Sequence, residues 1–188
     1  NKRGPYDYFR QRIMFPIRDQ RGRVLGFGAR AQRPEEKAKY VNSPEGDLYR
    51  KGHLLYGIDL ARSEIAKAKR AIVVEGYTDV IALHQAGITE AVAIMGTAIT
   101  PEQLKTLGGL TETVVLALDA DRAGADAMIR AQRVAGDRGM DLRVAAMPED
   151  ADQITLETAG DFVDDQLTAL IKAAYPKAQF SRKMITSV

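Results

Sequence analysis

Four expected strands constrain this chain most: the apolar, β-branched runs Ala71-Ile72-Val73-Val74 and Val114-Val115-Leu116-Ala117-Leu118, with Ala91 to Met95 between them and Leu142 to Met147 after. Runs with so little polar alternation read as strands buried on both faces, the habit of parallel sheets. Helix-length segments separate them. One covers 78–86 and is ended by Gly87; a third falls at about 123–135. Between them, Thr100 is the N-cap of a helix, Pro101 its first residue, and Gln103 completes a capping box. Repeated strand–helix–strand spacing predicts parallel neighbours joined by right-handed crossovers. A further amphipathic helix is expected from Asp161 to Ala174, ended by Pro176.

Acidic groups follow three of these runs. Glu75-Gly76-Tyr77-Thr78-Asp79 follows the first, Asp119-Ala120-Asp121-Arg122-Ala123-Gly124 the third, and Asp150-Ala151-Asp152 the fourth. In open α/β sheets the carboxyl ends of the strands are where ligands bind. Residues i and i+2 of an extended segment face one side, so Asp119 and Asp121 can meet one ion together, as can Asp150 and Asp152. Gly76 and Gly124 let backbone approach a phosphate or a metal. No lysine stands beside these acids in sequence, so the cluster calls for a cation. Oxygen-only donors suit Mg²⁺ rather than zinc. One ion would lower the pKa of an attacking hydroxyl and another would stabilise a departing pyrophosphate. A lone Asp-x-Asp after a strand is ordinarily a turn or a helix cap; acids at three successive strand ends of one sheet favour metal.

The segment in front is different. Arg12 to Ile17 and Val24 to Ala29 flank the polar turn Asp19-Gln20-Arg21-Gly22 and read as a hairpin, with Pro16 confining its strand to an edge. Residues 32–39 form a polar loop, and Leu54 to Ala68 a helix leading into the second domain. Residues 1–70 hold 17 Lys/Arg against 8 Asp/Glu, whereas residues 71–188 hold 10 against 17. A basic half joined to an acidic half suggests a polyanion track beside a metal site, against the plainer alternative of a solvated basic face.

Composition excludes several classes. The chain has no cysteine, so disulfides and thiolate zinc sites are ruled out within these 188 residues. No apolar stretch approaches the ~20 residues of a membrane span, and no signal peptide is visible. The chain begins on Asn1 and ends on a polar tail, and reads as a segment of a longer protein. His53 and His84 lack ligand spacing, and no serine stands in a nucleophile setting. Tyr6, Tyr8, Tyr40, Tyr49 and Tyr56 lie among basic residues; base stacking is open to them, but packing is the expected role of most.

Taken together, Glu75-Gly76-Tyr77-Thr78-Asp79, Asp119-Ala120-Asp121-Arg122-Ala123-Gly124 and Asp150-Ala151-Asp152 resemble the Toprim domain of bacterial primases, topoisomerases and related nucleases. Three further segments narrow the resemblance to the core of the bacterial DnaG-type primases. They are Tyr8 to Ile17, Lys39-Tyr40-Val41-Asn42-Ser43-Pro44-Glu45 and Tyr49-Arg50-Lys51-Gly52-His53-Leu54-Leu55-Tyr56-Gly57. It covers roughly residues 6 to 160. The third acidic motif departs from the family's Gly-x-Asp-Pro-Asp pattern: it lacks the proline and is shorter before Asp150.

The resemblance implies an α/β fold, a Toprim-type parallel sheet flanked by helices and preceded by a small basic mixed α/β subdomain. The implied division is 1–70 for the basic subdomain, 71–160 for the Toprim domain and 161–188 for a helical element and tail. The implied activity is DNA-templated synthesis of short RNA primers from ribonucleoside triphosphates, with Mg²⁺ or Mn²⁺ and no zinc in this segment. Glu75, Asp119 and Asp121 match the catalytic and metal-binding acids, joined as metal ligands by Asp150 and Asp152, with Gly76, Asp79 and Gly124 in support. Arg10, Arg12, Lys39, Asn42 and Lys51 match the groove for template and nucleotide. Implied partners are single-stranded DNA, ribonucleotides and an RNA–DNA hybrid, in the bacterial cytoplasm and away from any membrane. A replicative helicase is expected only through a carboxyl-terminal domain outside these residues. Two other readings compete: a Toprim topoisomerase or nuclease, of which the topoisomerase needs a tyrosine nucleophile on a separate DNA-binding domain that nothing here supplies, and a non-catalytic single-strand-binding module, which gains nothing from five carboxylates beside its groove. A phospho-accepting receiver domain would leave the basic segment unexplained.

Overall fold

The computed structural model of the chain describes residues 6–33, 35–96, 98–118, 132, 134–136, 139–146, 153–158 and 179–184. The first sheet is three-stranded, in the order β1 (Arg12–Arg18), β2 (Val24–Ala31), β3 (Tyr40–Asn42), all antiparallel. The β1–β2 hairpin is set by its turn. Asp19 Oδ1 accepts from the backbone N–H of Arg21 (2.9 Å) and Arg23 (3.0 Å), and Gly22 takes φ +80°, which a side chain would resist. Pro16, which cannot donate to a ladder, sits on the edge strand as expected.

The larger sheet begins after α1 (Ile58–Ala68). Its strands are β4 (Arg70–Val74), β5 (Ala91–Ala93), β6 (Thr113–Leu116), β7 (Asp141–Ala146), β8 (Gln153–Thr158) and β9 (Gln179–Met184), in the order β5-β4-β6-β7-β8-β9. The first four in that order are parallel; β8 runs antiparallel to β7, and β9 parallel to β8. Between them lie α2 (Tyr77–Gln85) and α3 (Pro101–Gly108).

The absence of polar alternation in β4 and β6 has the expected cause. Register pairs Val73 with Val92 and with Leu116, so these side chains share one face of the sheet. Together with Ala71 and Val114 they pack on Ile58, Ala61 and Ile65 of α1 and Leu104 and Leu107 of α3. Ile72 and Val74, on the opposite face, are buried as well. The apolar stripe of α1 thus belongs to the core of the larger sheet.

Two polar devices fix the ends. At the amino ends of β4 and β5, Arg70 Nε and Nη2 both lie 3.0 Å from Glu90 Oε1, and Glu90 is buried. At the start of α3, Thr100 Oγ1 accepts from Gln103 N (3.1 Å) and Gln103 Oε1 accepts from Thr100 N (3.0 Å), the capping box expected from the sequence. The helices expected over 123–135 and 161–174 lie wholly or mostly outside the described residues. β9 occupies part of the stretch expected as a tail. No helix among the described residues is long and apolar enough to cross a membrane.

Candidate active site

The carboxyl end of β4 opens onto a cleft of about 440 Å³, lined by Tyr40, Asn42, Lys51, Glu75, Gly76, Tyr77, Thr78, Asp79, Met95 and Gly96. Glu75 is the first residue past β4. Its backbone is tied to the neighbouring strand's exit: Met95 N donates to Glu75 O (2.9 Å) and Ile94 N to Val74 O (3.1 Å). On the other side Ala117 N donates to Val73 O (2.8 Å), so the chain leaving β6 towards Asp119 starts beside the strand that carries Glu75.

Asp79 has a structural duty at this rim. Its Oδ2 accepts from Gly76 N at 3.0 Å, the carboxylate half of a capping box at the amino end of α2. Glycine has no side chain for the reciprocal half. Met95 adopts φ +55°, a left-handed conformation uncommon for a residue with a side chain, where β5 leaves the sheet for the cleft.

The opposite wall comes from the basic segment. Asn42, at the end of β3, presents a buried Oδ1 with no hydrogen-bond partner among the described residues. Lys51 stands on a single 3₁₀ turn, Lys51–His53, fastened from three directions. Lys51 N donates to Glu45 Oε1 (3.0 Å), Thr100 Oγ1 donates to Gly52 O (2.6 Å), and Gln103 Nε2 donates to Leu54 O (2.7 Å). Its ammonium lies over Gly96, where a Cβ would stand 3.9 Å from Nζ. No lysine neighbours Glu75 in sequence, but the fold brings Lys51, one of the groove candidates, to the same cleft.

The other basic candidates stand outside this cleft. Arg10 is exposed and its Nε donates to Asp7 O (3.2 Å). Arg12 braces the loop before β3, with Nη1 donating to Ala38 O (2.8 Å) and Nη2 3.8 Å from Glu36 Oε2. Lys39 is exposed. Asp119, Asp121, Gly124, Asp150 and Asp152 lie outside the described residues. Among the described residues no group of three acidic, histidine or cysteine side chains could hold a metal. Glu75, the described acid of the cleft lining, is an oxygen donor of the kind that fits a hard divalent cation.

Tyr77, inside the first acidic motif, has no role legible in the sequence, yet it lines the cleft. Burial pushes its phenol up to about 12, and burial with nearby Glu45 and Tyr77 does the same for Tyr49. Both are neutral phenols near pH 7. Tyr49 and Tyr56 are packed, whereas Tyr6, Tyr8 and Tyr40 keep much of their surface exposed. Arg30 lies 5.8 Å from the Tyr40 ring centroid.

A parallel α/β sheet with an acid at a strand end, joined to a basic β-subdomain, defines a Toprim-like two-part architecture. Family models agree: residues 1–62 match the DNA primase catalytic core, N-terminal domain, and residues 72–155 match the Toprim-like family. The chain is 52% identical over 161 residues to a DNA primase of Synechococcus elongatus, covering 81% of this chain and 23% of that protein. Among solved structures, the Escherichia coli primase catalytic core is 40% identical with a TM-score of 0.73, covering 95% of this chain and 56% of that one. A DnaG primase catalytic domain bound to single-stranded DNA is 46% identical with a TM-score of 0.71, covering 77% of this chain and 46% of that one. The chain belongs to the DnaG-type DNA primase family, within the part that forms the catalytic core. It spans about a quarter of the length of the curated relatives it matches.

Proposed function

We propose that this chain is the catalytic core of a DNA primase, which joins ribonucleotides on a single-stranded DNA template and releases pyrophosphate. One observation carries the reading: the cleft at the carboxyl end of β4 is lined by Glu75 together with Lys51 and Asn42 of the basic segment. A triphosphate–metal complex needs both, a cation for its phosphates and oxygen donors for its ion.

Glu75, Asp119 and Asp121, with Asp150 and Asp152, would hold Mg²⁺ or Mn²⁺, which when bound offsets the charge that develops on the phosphates. Lys51 binds and orients the triphosphate as a point charge. Asn42 offers a desolvated acceptor that a ligand donor would satisfy. Arg10, Arg12 and Lys39 run the template along residues 1–70, and the acids act from 71–160. The single-stranded DNA held by the similar DnaG domain supports such a template here, and the product is an RNA–DNA hybrid. A replicative helicase would join through a further domain of the whole protein, in the bacterial cytoplasm.

Cleavage by a Toprim topoisomerase or nuclease fits less well. Two tyrosines line the cleft, Tyr40 and Tyr77, and neither stands on the separate DNA-binding domain from which a topoisomerase's nucleophile would come. The test supplies single-stranded DNA, four ribonucleotides and Mg²⁺ or Mn²⁺. Short RNA is the expected product; DNA scission without RNA would overturn the reading.

A further inference from the structure

Three strands and the turn before α1 converge on Tyr77. Its ring stacks on Phe15 of β1, with centroids 4.7 Å apart and planes at 28°. It meets Tyr40 of β3 edge-on at 5.6 Å and Tyr56 at 5.5 Å. Gly28 of β2 leaves it the space: a Cβ there would lie 2.7 Å from Tyr77 Cε1 and 2.9 Å from Cζ, far inside carbon–carbon contact. All strands of the small sheet thus touch one ring that belongs to the start of α2. Tyr40 and Asn42, two apart on β3, line the cleft together.

We propose that Tyr77 is a positioning residue: seated in the notch left by Gly28, its ring fixes how far the wall carrying Asn42 stands from Glu75. The catalytic consequence rests on the primase reading; the seating does not. Gly28 does not line the cleft, and although Asn42 is its partner across the strand, the atoms a Cβ there would meet first are those of Tyr77, so Gly28→Ala acts on the ring.

The experiment compares Gly28→Ala, Tyr77→Ala, the double variant and Tyr77→Phe in the full chain, reading kcat and nucleotide KM for primer synthesis, single-stranded DNA affinity and the urea midpoint. Tyr77→Leu replaces Tyr77→Ala if the latter does not fold. Displacement of a reacting group by about 1 Å costs on the order of a hundredfold, so Gly28→Ala and Tyr77→Ala should each lower kcat by about that factor. DNA affinity should stay within about twofold, because phosphate contacts lie on the basic segment. Gly28→Ala should add nothing to Tyr77→Ala, where its methyl has room. Tyr77→Phe should restore wild-type kcat.

Folded variants with wild-type kcat and KM would overturn the positioning role, as would a Tyr77→Phe as defective as Tyr77→Ala. A wild-type chain that makes no primers would overturn the catalytic consequence along with the primase reading. The urea cycle judges the seating by itself, and additive effects there would overturn it.

Discussion

Lys51 and Glu75 meet one cleft with opposite charge, and their removal should produce different defects. Glu75→Gln should abolish synthesis while leaving the fold intact and template affinity equal or higher, since it removes negative charge from the rim. Lys51→Ala should leave the metal dependence in place and raise nucleotide KM by about 10- to 100-fold, the equivalent of a charged hydrogen bond of ~1.5–3 kcal/mol. Steady-state kinetics with separate titrations of nucleotide and metal distinguish the two. Tyr49 and Tyr77 supply a pH test. Their phenols ionise near 10 when unfolded and near 12 in place, so the unfolded chain loses protons first. Stability should be whole below pH 10 and fall as pH rises from 10 to 12, and Tyr49→Phe should flatten that decline in denaturant titrations. The acid at 75 was legible because it follows a strand directly. The seat of Tyr77 was not, because it depends on Gly28 far along the chain; Lys51 was a groove candidate by the resemblance, but the clamp on its turn by Thr100 and Gln103 required the fold.

The capping box at α3 links an element to the site. Gln103 is buried and its amide bridges the helix start to Leu54 O, while Thr100 reaches Gly52 O; between them they clamp the turn that carries Lys51. Gln103→Leu would leave Thr100 N and Leu54 O without this partner, at about 1–3 kcal/mol. Urea unfolding should show a lower midpoint with unchanged slope, and nucleotide KM should rise because the turn loosens. The box itself was legible from Thr100-Pro101-Glu102-Gln103, since its partners are local. Strands β4, β5 and β6 were legible for a different reason: burial on both faces removes polar alternation. β8 and β9 were not. Gln153 to Thr158 alternates and Gln179 to Met184 is largely polar, and such short segments become strands only through pairing with a neighbour. The three-residue β3 is similar, held by its register with β2.

Across the molecule, a basic segment faces an acidic one, and the account separates template binding from chemistry along that line. Lys39→Ala should weaken all single-stranded templates about equally and reduce the slope of log affinity against log salt by about 0.7. Fluorescence anisotropy over a salt series measures this, and an unchanged slope would mean that the Lys39 charge is merely solvated. The charge division was visible in the sequence; that the two parts close on one cleft required the fold. The most direct measurement follows RNA synthesis and DNA binding together, in wild type and Glu75→Gln, on single-stranded DNA with ribonucleotides and Mg²⁺ or Mn²⁺. The account predicts short RNA from wild type, none from Glu75→Gln, and template binding at least as tight in the variant. Equal synthesis by both would contradict it.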